Sequence, residues 1–75
     1  MSGIVKRSVM IAGHRTSVSL EDAFWQALTA LAVGEGRSVQ ALVGAIDAGR
    51  GEQNLSSAIR VHVLDAARKG SLGKS

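Results

Sequence analysis

His14-Arg15-Thr16-Ser17-Val18-Ser19-Leu20, continuing directly into Glu21-Asp22-Ala23-Phe24-Trp25, is the stretch whose reading decides the fold. Thr16, Val18 and Leu20 alternate with Arg15, Ser17 and Ser19, the period-2 pattern of a half-buried strand. Without any linker the spacing then becomes helical. A lone strand leaves its backbone N–H and C=O groups without a ladder, and an isolated pair of strands is marginal without packing behind it. The simplest remedy is the same strand from a second copy of the chain. The stretch therefore predicts an intermolecular two-stranded antiparallel ribbon, helices on its apolar face, and an exposed polar row of Arg15, Ser17 and Ser19.

Working outward, Ser19 is placed to cap a first helix, because Ser19-x-x-Asp22 resembles a capping box and the acids Glu21 and Asp22 suit a helix N-terminus. Phe24, Leu28, Leu31 and Ala32 form its apolar stripe, widened by Ala27 and flanked by Trp25. Gly34-Glu35-Gly36 ends it. Ser38 caps a second helix with the stripe Val39, Leu42, Val43 and Ile46, and Gly49-Arg50-Gly51 breaks it. Asn54 opens a third helix whose apolar positions are Leu55, Ala58, Ile59, His62, Val63 and Ala66, with Val61 and Leu64 beside them. Its apolar width exceeds what one contact stripe needs. Residues 1–13 are an N-terminal arm or an extra strand turning at Gly13, 14–48 the strand-helix-helix core, 49–69 the third helix and 70–75 a flexible tail. The fold class is mainly α with one strand.

A 75-residue chain buries only about 60% of its unfolded surface, so small domains of this size often need a staple. With no cysteine, disulfides and thiolate metal sites are excluded, and His14 and His62 lie far apart with no ligand set around them. No cofactor or metal is expected, and dimerisation is the staple that remains. The opening Met1-Ser2-Gly3-Ile4-Val5-Lys6-Arg7 lacks the apolar run of a signal peptide, and no window approaches the ~20 apolar residues of a membrane span. A cytoplasmic location without a membrane partner is expected.

The net charge of +3 is unevenly spread. Residues 1–19 carry +3 from Lys6, Arg7 and Arg15, residues 20–67 carry −3, and residues 68–75 carry +3. Positive charge therefore sits on the ribbon segment, where a second copy doubles it. A two-stranded ribbon fits the major groove of DNA, which makes double-stranded DNA the expected partner.

The strand, the first helix, the turn Gly36-Arg37-Ser38-Val39 and the second helix together resemble the ribbon-helix-helix superfamily of Arc/MetJ-type repressors, over about residues 14–48. Segments such as Gly13-His14-Arg15-Thr16-Ser17-Val18-Ser19-Leu20-Glu21 and Asn54-Leu55-Ser56-Ser57-Ala58-Ile59-Arg60 are similar to a short bacterial ribbon-helix-helix domain family, which extends the likeness to residue 67. The resemblance implies an intertwined homodimer, to which this chain adds a third helix. It implies base contacts at Arg15, Ser17 and Ser19, and a phosphate clamp at Arg37, Ser38 and Val39. Lys6 and Arg7 add phosphate-facing charge from the arm. Two of the three ribbon positions are serine and a third helix is appended, both departures from the superfamily's pattern.

No catalytic constellation is present: Ser17 and Ser19 lack a histidine and acid in a nucleophile arrangement, and Gly34-x-Gly36 lacks the flanks of a dinucleotide motif. An enzyme is not expected. The expected function is a sequence-specific DNA-binding transcriptional regulator. The alternative is a homodimeric, antitoxin-like module holding a protein partner through helix three and the tail. A nonspecific chromatin-type binder is the third possibility, favoured by the serines of the ribbon.

Overall fold

From Arg7 to Ile11 and from Thr16 to Leu20 the side chains alternate between the more and the less buried side, and two strands form around that alternation. The computed structural model describes residues 3–70. Its elements are β1 (Ile4–Ile11), β2 (His14–Glu21), α1 (Asp22–Gly34), α2 (Val39–Gly49) and α3 (Leu55–Arg68). β1 and β2 form one antiparallel hairpin in which Ile11 pairs with His14, Val9 with Thr16, Arg7 with Val18 and Val5 with Leu20.

The ladder partner of β2 is thus β1 of the same chain, which corrects the expectation of one strand per chain. Of the two alternatives for the N-terminal segment, the structure has the extra strand over Ile4–Ile11. The connection is two residues long, and both adopt positive φ, 52° at Ala12 and 81° at Gly13. That is the type I′ geometry whose twist matches paired strands. Glycine takes it freely, whereas Ala12 bears a left-handed conformation costing about 1–2 kcal/mol.

Paired residues share a face, so the register assigns every side chain to one side. Val5, Arg7, Val9, Ile11, His14, Thr16, Val18 and Leu20 face the helices, while Ile4, Lys6, Ser8, Met10, Arg15, Ser17, Ser19 and Glu21 face away. Val9, Val18 and Leu20 are buried against Leu28, Leu31 and Ala32 of α1, Leu42, Val43 and Ile46 of α2, and Leu55, Ala58, Ile59 and Val63 of α3. Phe24, Trp25, Val39 and Ala66 pack half-buried on this core. Fully burying aliphatic side chains such as Leu28 or Ile59 contributes about 1.5–3 kcal/mol each. α3 is part of the core rather than an appendage to it.

Helix termini follow local chemistry with one exception. Ser38 Oγ accepts from the Ala41 N–H at 3.0 Å, and Asn54 Oδ1 accepts from the Ser57 N–H at 3.2 Å, so both caps stand where the sequence puts them. α1 closes on a Schellman motif in which Gly36 N–H donates to Val33 O and Arg37 N–H to Ala32 O, with Gly36 at φ 71°. Ser19, however, does not cap α1. The N-cap is Glu21, with no side-chain bond, because β2 keeps Leu20 on the core face and runs two residues further. The tail expected over 70–75 lies, apart from Gly70, outside the described residues.

The in-chain hairpin makes a direct prediction. Ala12→Asn creates the Asn-Gly pair favoured in type I′ turns and should raise stability by about 0.5–1 kcal/mol in denaturant unfolding. A destabilised variant would contradict the turn.

Candidate nucleic-acid interface

The outer face of the hairpin is built from residues that alternation turns away from the core and that no helix covers. Along it stand the pairs Lys6–Ser19, Ser8–Ser17 and Met10–Arg15. Lys6 and Arg15 lie on opposite strands, four residues apart along the ribbon, or about 14 Å at strand rise. Three serines lie between or beside them. Among the described residues neither Lys6 nor Arg15 has an ion-pair partner, whereas Arg7, Arg37, Arg50, Arg60 and Lys69 all do. The one carboxylate on this face, Glu21, is occupied: Arg60 Nε donates to its Oε1 at 2.9 Å. That bond, with a backbone bond of Glu21's own, holds the Glu21 carboxyl below its ordinary range. A carboxyl lowered in this way stabilises the fold above its unfolded pKa, and the contribution fades as pH falls through the folded value. At neutral pH the face is therefore positive.

Both outer edges of the ribbon are anchored to helices. The Met10 N–H donates to Gln40 Oε1 at 2.7 Å, and the Ser19 N–H donates to Ser56 Oγ at 3.3 Å. Both amides point out of the ladder, as they must in non-hydrogen-bonded pairs. The first bond brings the first turn of α2 beside the turn end of the ribbon. There the amides of Val39 and Gln40 have no intrahelical acceptor, and the helix dipole is positive. Arg37 and Ser38 are exposed at the same end. Arg37 Nη2 lies 2.7 Å from Glu35 Oε1, a solvent-facing pair worth under about 1 kcal/mol and readily exchanged for another anion.

Lys6 and Arg7, adjacent in sequence, part company in the structure. Lys6 is exposed on the outer face. Arg7 turns to the helix face, where its Nη2 donates to Asp22 Oδ1 at 3.0 Å and its guanidinium lies 4.7 Å from the Trp25 ring centroid. Its Nε is buried without an acceptor. Gln26 completes the cluster by donating to Asp22 Oδ2 at 2.6 Å. An inward arginine is tolerable here only because a carboxylate and an aromatic face receive it. The Arg7 cation expected to face phosphate is therefore half-buried and paired with Asp22 on the helix side.

Of the other expected base contacts, Arg15 and Ser17 are exposed and Ser19 is half-buried. Ser8 and Met10 belong to the same face and were missed, although Lys6-x-Ser8-x-Met10 against Val5, Val9 and Ile11 carries the same period-2 signal. Nothing in the sequence marks Gln40 as the brace of β1. Among the described residues no three metal-ligating side chains come together, and no helix is long and apolar enough to cross a membrane.

The hairpin with its exposed polar face is followed by three helices, of which α2 and α3 carry side-chain caps, and strand pairs of this kind are what β-ribbon proteins place in a DNA groove. The ribbon-helix-helix domain family matches residues 4–67, and the chain belongs to that family. The match takes in β1 and most of α3 as well as the segment between them. Comparison with curated proteins and with solved structures gives no match.

The two neighbouring cations should separate by mutation. Arg7→Ala removes an ion pair and a cation–π contact and should cost about 1–2 kcal/mol of stability by chemical denaturation. Lys6→Ala should stay within about 0.5 kcal/mol of the parent. Equal costs would show that the two side chains are not on opposite faces.

Proposed function

We propose that this protein binds double-stranded DNA by laying the outer face of its β1–β2 ribbon in the major groove, and that it acts as a sequence-specific regulator of transcription. The observation that carries this reading is the presence of Lys6 and Arg15, unpaired among the described residues, on the one ribbon face no helix covers. The groove is about 12 Å wide and admits two strands spaced about 4.8 Å apart. Arg15 can bond bidentately to the O6 and N7 of guanine, and Ser17 and Ser19 can donate to or accept from base edges. Lys6 neutralises phosphate. The N-terminus of α2 offers an anion site from the free amides of Val39 and Gln40, with Arg37 and Ser38 beside it, and the Gln40–Met10 bond fixes that site next to the ribbon. Binding, not catalysis, is the function this arrangement serves.

Ribbon-helix-helix domains commonly bind DNA as regulators of transcription, and membership implies dimerisation. Two protomers would carry two such ribbons to neighbouring half-sites. An intertwined ribbon shared between chains would require β2 to exchange its in-chain partner. A dimer that leaves each hairpin intact needs no such exchange.

A second reading is favoured by one surface. Val61 and Leu64, each 55% exposed, line a groove of about 440 Å³ between α2 and α3, with Ala45 and Gly49 opposite. The groove joins these exposed aliphatic side chains to a polar rim that includes Arg50, His62, Asp65 and Arg68. A module that holds a protein partner through α3 would use this groove.

One salt titration tests the DNA reading. Arg15→Ala should weaken binding to a selected duplex by about 1–3 kcal/mol and relax preference at one base pair per site. Arg37→Ala should weaken binding to all duplexes alike and lower the salt slope by about one. If Arg15→Ala changes neither affinity nor preference, the ribbon is not the reading surface.

A further inference from the structure

Serine hydroxyls donate or accept at either base pair, so Ser8, Ser17 and Ser19 discriminate weakly among sequences. Lys6 is a flexible point charge. What distinguishes the turn end of the outer face is Met10, the one large apolar side chain in the stretch from Lys6 to Arg15 that faces away from the helices. It is 49% exposed and takes no part in the core. Ile4, the other exposed apolar residue on this face, lies six residues away, about 20 Å along the strand.

Met10 stands directly across the ladder from Arg15. Its N–H leaves the ladder for Gln40, so the two residues form a non-hydrogen-bonded pair, the kind whose side chains lie closest, with Cβ atoms about 4.5–5.5 Å apart. That spacing is comparable with the ~3.4 Å rise between stacked base pairs, so the two side chains reach the same or adjacent steps. The Gln40 bond also immobilises the Met10 backbone against the first turn of α2. A long, unbranched, polarizable thioether is thus presented from a fixed point into solvent.

The major groove displays one apolar mark, the C5-methyl group of thymine. We propose that Met10 packs on the methyl group of a thymine next to the guanine read by Arg15, and that this pair supplies most of the ribbon's base discrimination. The proposal rests on the outer face being the DNA-contacting one. It assigns a specificity-determining role to a residue of β1, whereas the reading of the sequence confined base contacts to β2.

The test uses the full chain and a duplex enriched from random DNA. Each thymine of the enriched site is replaced in turn by deoxyuridine, which removes only the methyl group. The parent protein should lose about threefold to fivefold in affinity at one thymine flanking the preferred guanine, the effect of one buried methyl-sized group. Met10→Ala should bind the thymine and uracil duplexes equally at that position while keeping the guanine preference, and Met10→Leu should retain the discrimination. Thermal unfolding of both variants should match the parent, since the side chain is exposed. An undiminished thymine–uracil difference in Met10→Ala, or no thymine whose methyl matters, overturns the proposal. If no sequence is enriched at all, or if Arg15→Ala leaves the guanine preference intact, the DNA reading of the face fails and takes this proposal with it.

Discussion

The antiparallel ladder between β1 and β2 is the constraint on which the rest depends, because the pleat converts register into chemistry. With Val9 opposite Thr16 and Arg7 opposite Val18, Val9, Ile11, Val18 and Leu20 meet the helices while Ser8, Ser17, Lys6 and Arg15 meet solvent. A slip of one residue in β2 would send Val18 and Leu20 outward and turn Arg15 inward, and a slip in β1 would do the same to Val9 and Lys6. The cost of that exchange, several buried aliphatic side chains plus an unpaired charge, fixes the register more firmly than the hydrogen bonds do. Gln40 and Ser56 then brace the ribbon's two edges, each accepting one amide that points out of the ladder.

The same constraint sorts the positive charge. Arg7 and Lys6 are neighbours in the chain but lie on opposite sides of the sheet. The inner cation is absorbed into structure by Asp22 and Trp25, while the outer one is left to solvent. Arg60 is likewise absorbed by Glu21, which silences the single acid of the outer face. Fold and candidate site are therefore not separate layers. The ion pairs that hold the hairpin onto α1 and α3 are also what leaves Lys6 and Arg15 as the face's uncompensated charges.

Much of this was legible in the sequence because it rests on local rules. Alternation from Thr16 to Leu20 gave the face of β2, the stripes Leu28–Leu31–Ala32 and Leu42–Val43–Ile46 gave the buried sides of α1 and α2, and Ser38 and Asn54 marked two helix starts. What was not legible came from contacts distant in sequence. Arg7 breaks the apolar face of β1, and its acceptance depends on Asp22 and Trp25, fifteen and more residues away. Without that knowledge residues 4–11 look like an indifferent arm, and the search for a partner for β2 turns to a second chain. Ser19 has a capping side chain and a capping sequence behind it, yet the ladder holds it in the strand. On the outer face, Ser8 and Met10 follow from alternation once β1 is known to be a strand, whereas Gln40 reaches the ribbon only through tertiary packing.

The central claim is that the outer ribbon face and the start of α2 are one DNA-binding surface. Titrating the isotopically labelled protein with an enriched duplex and following its amide and side-chain resonances tests this most directly. The account predicts that perturbations concentrate at Lys6, Ser8, Met10, Arg15, Ser17 and Ser19, with a second group at Val39 and Gln40, while Val61 and Leu64 stay unmoved. Perturbations centred on the α2–α3 groove, with the ribbon resonances unchanged, would contradict it.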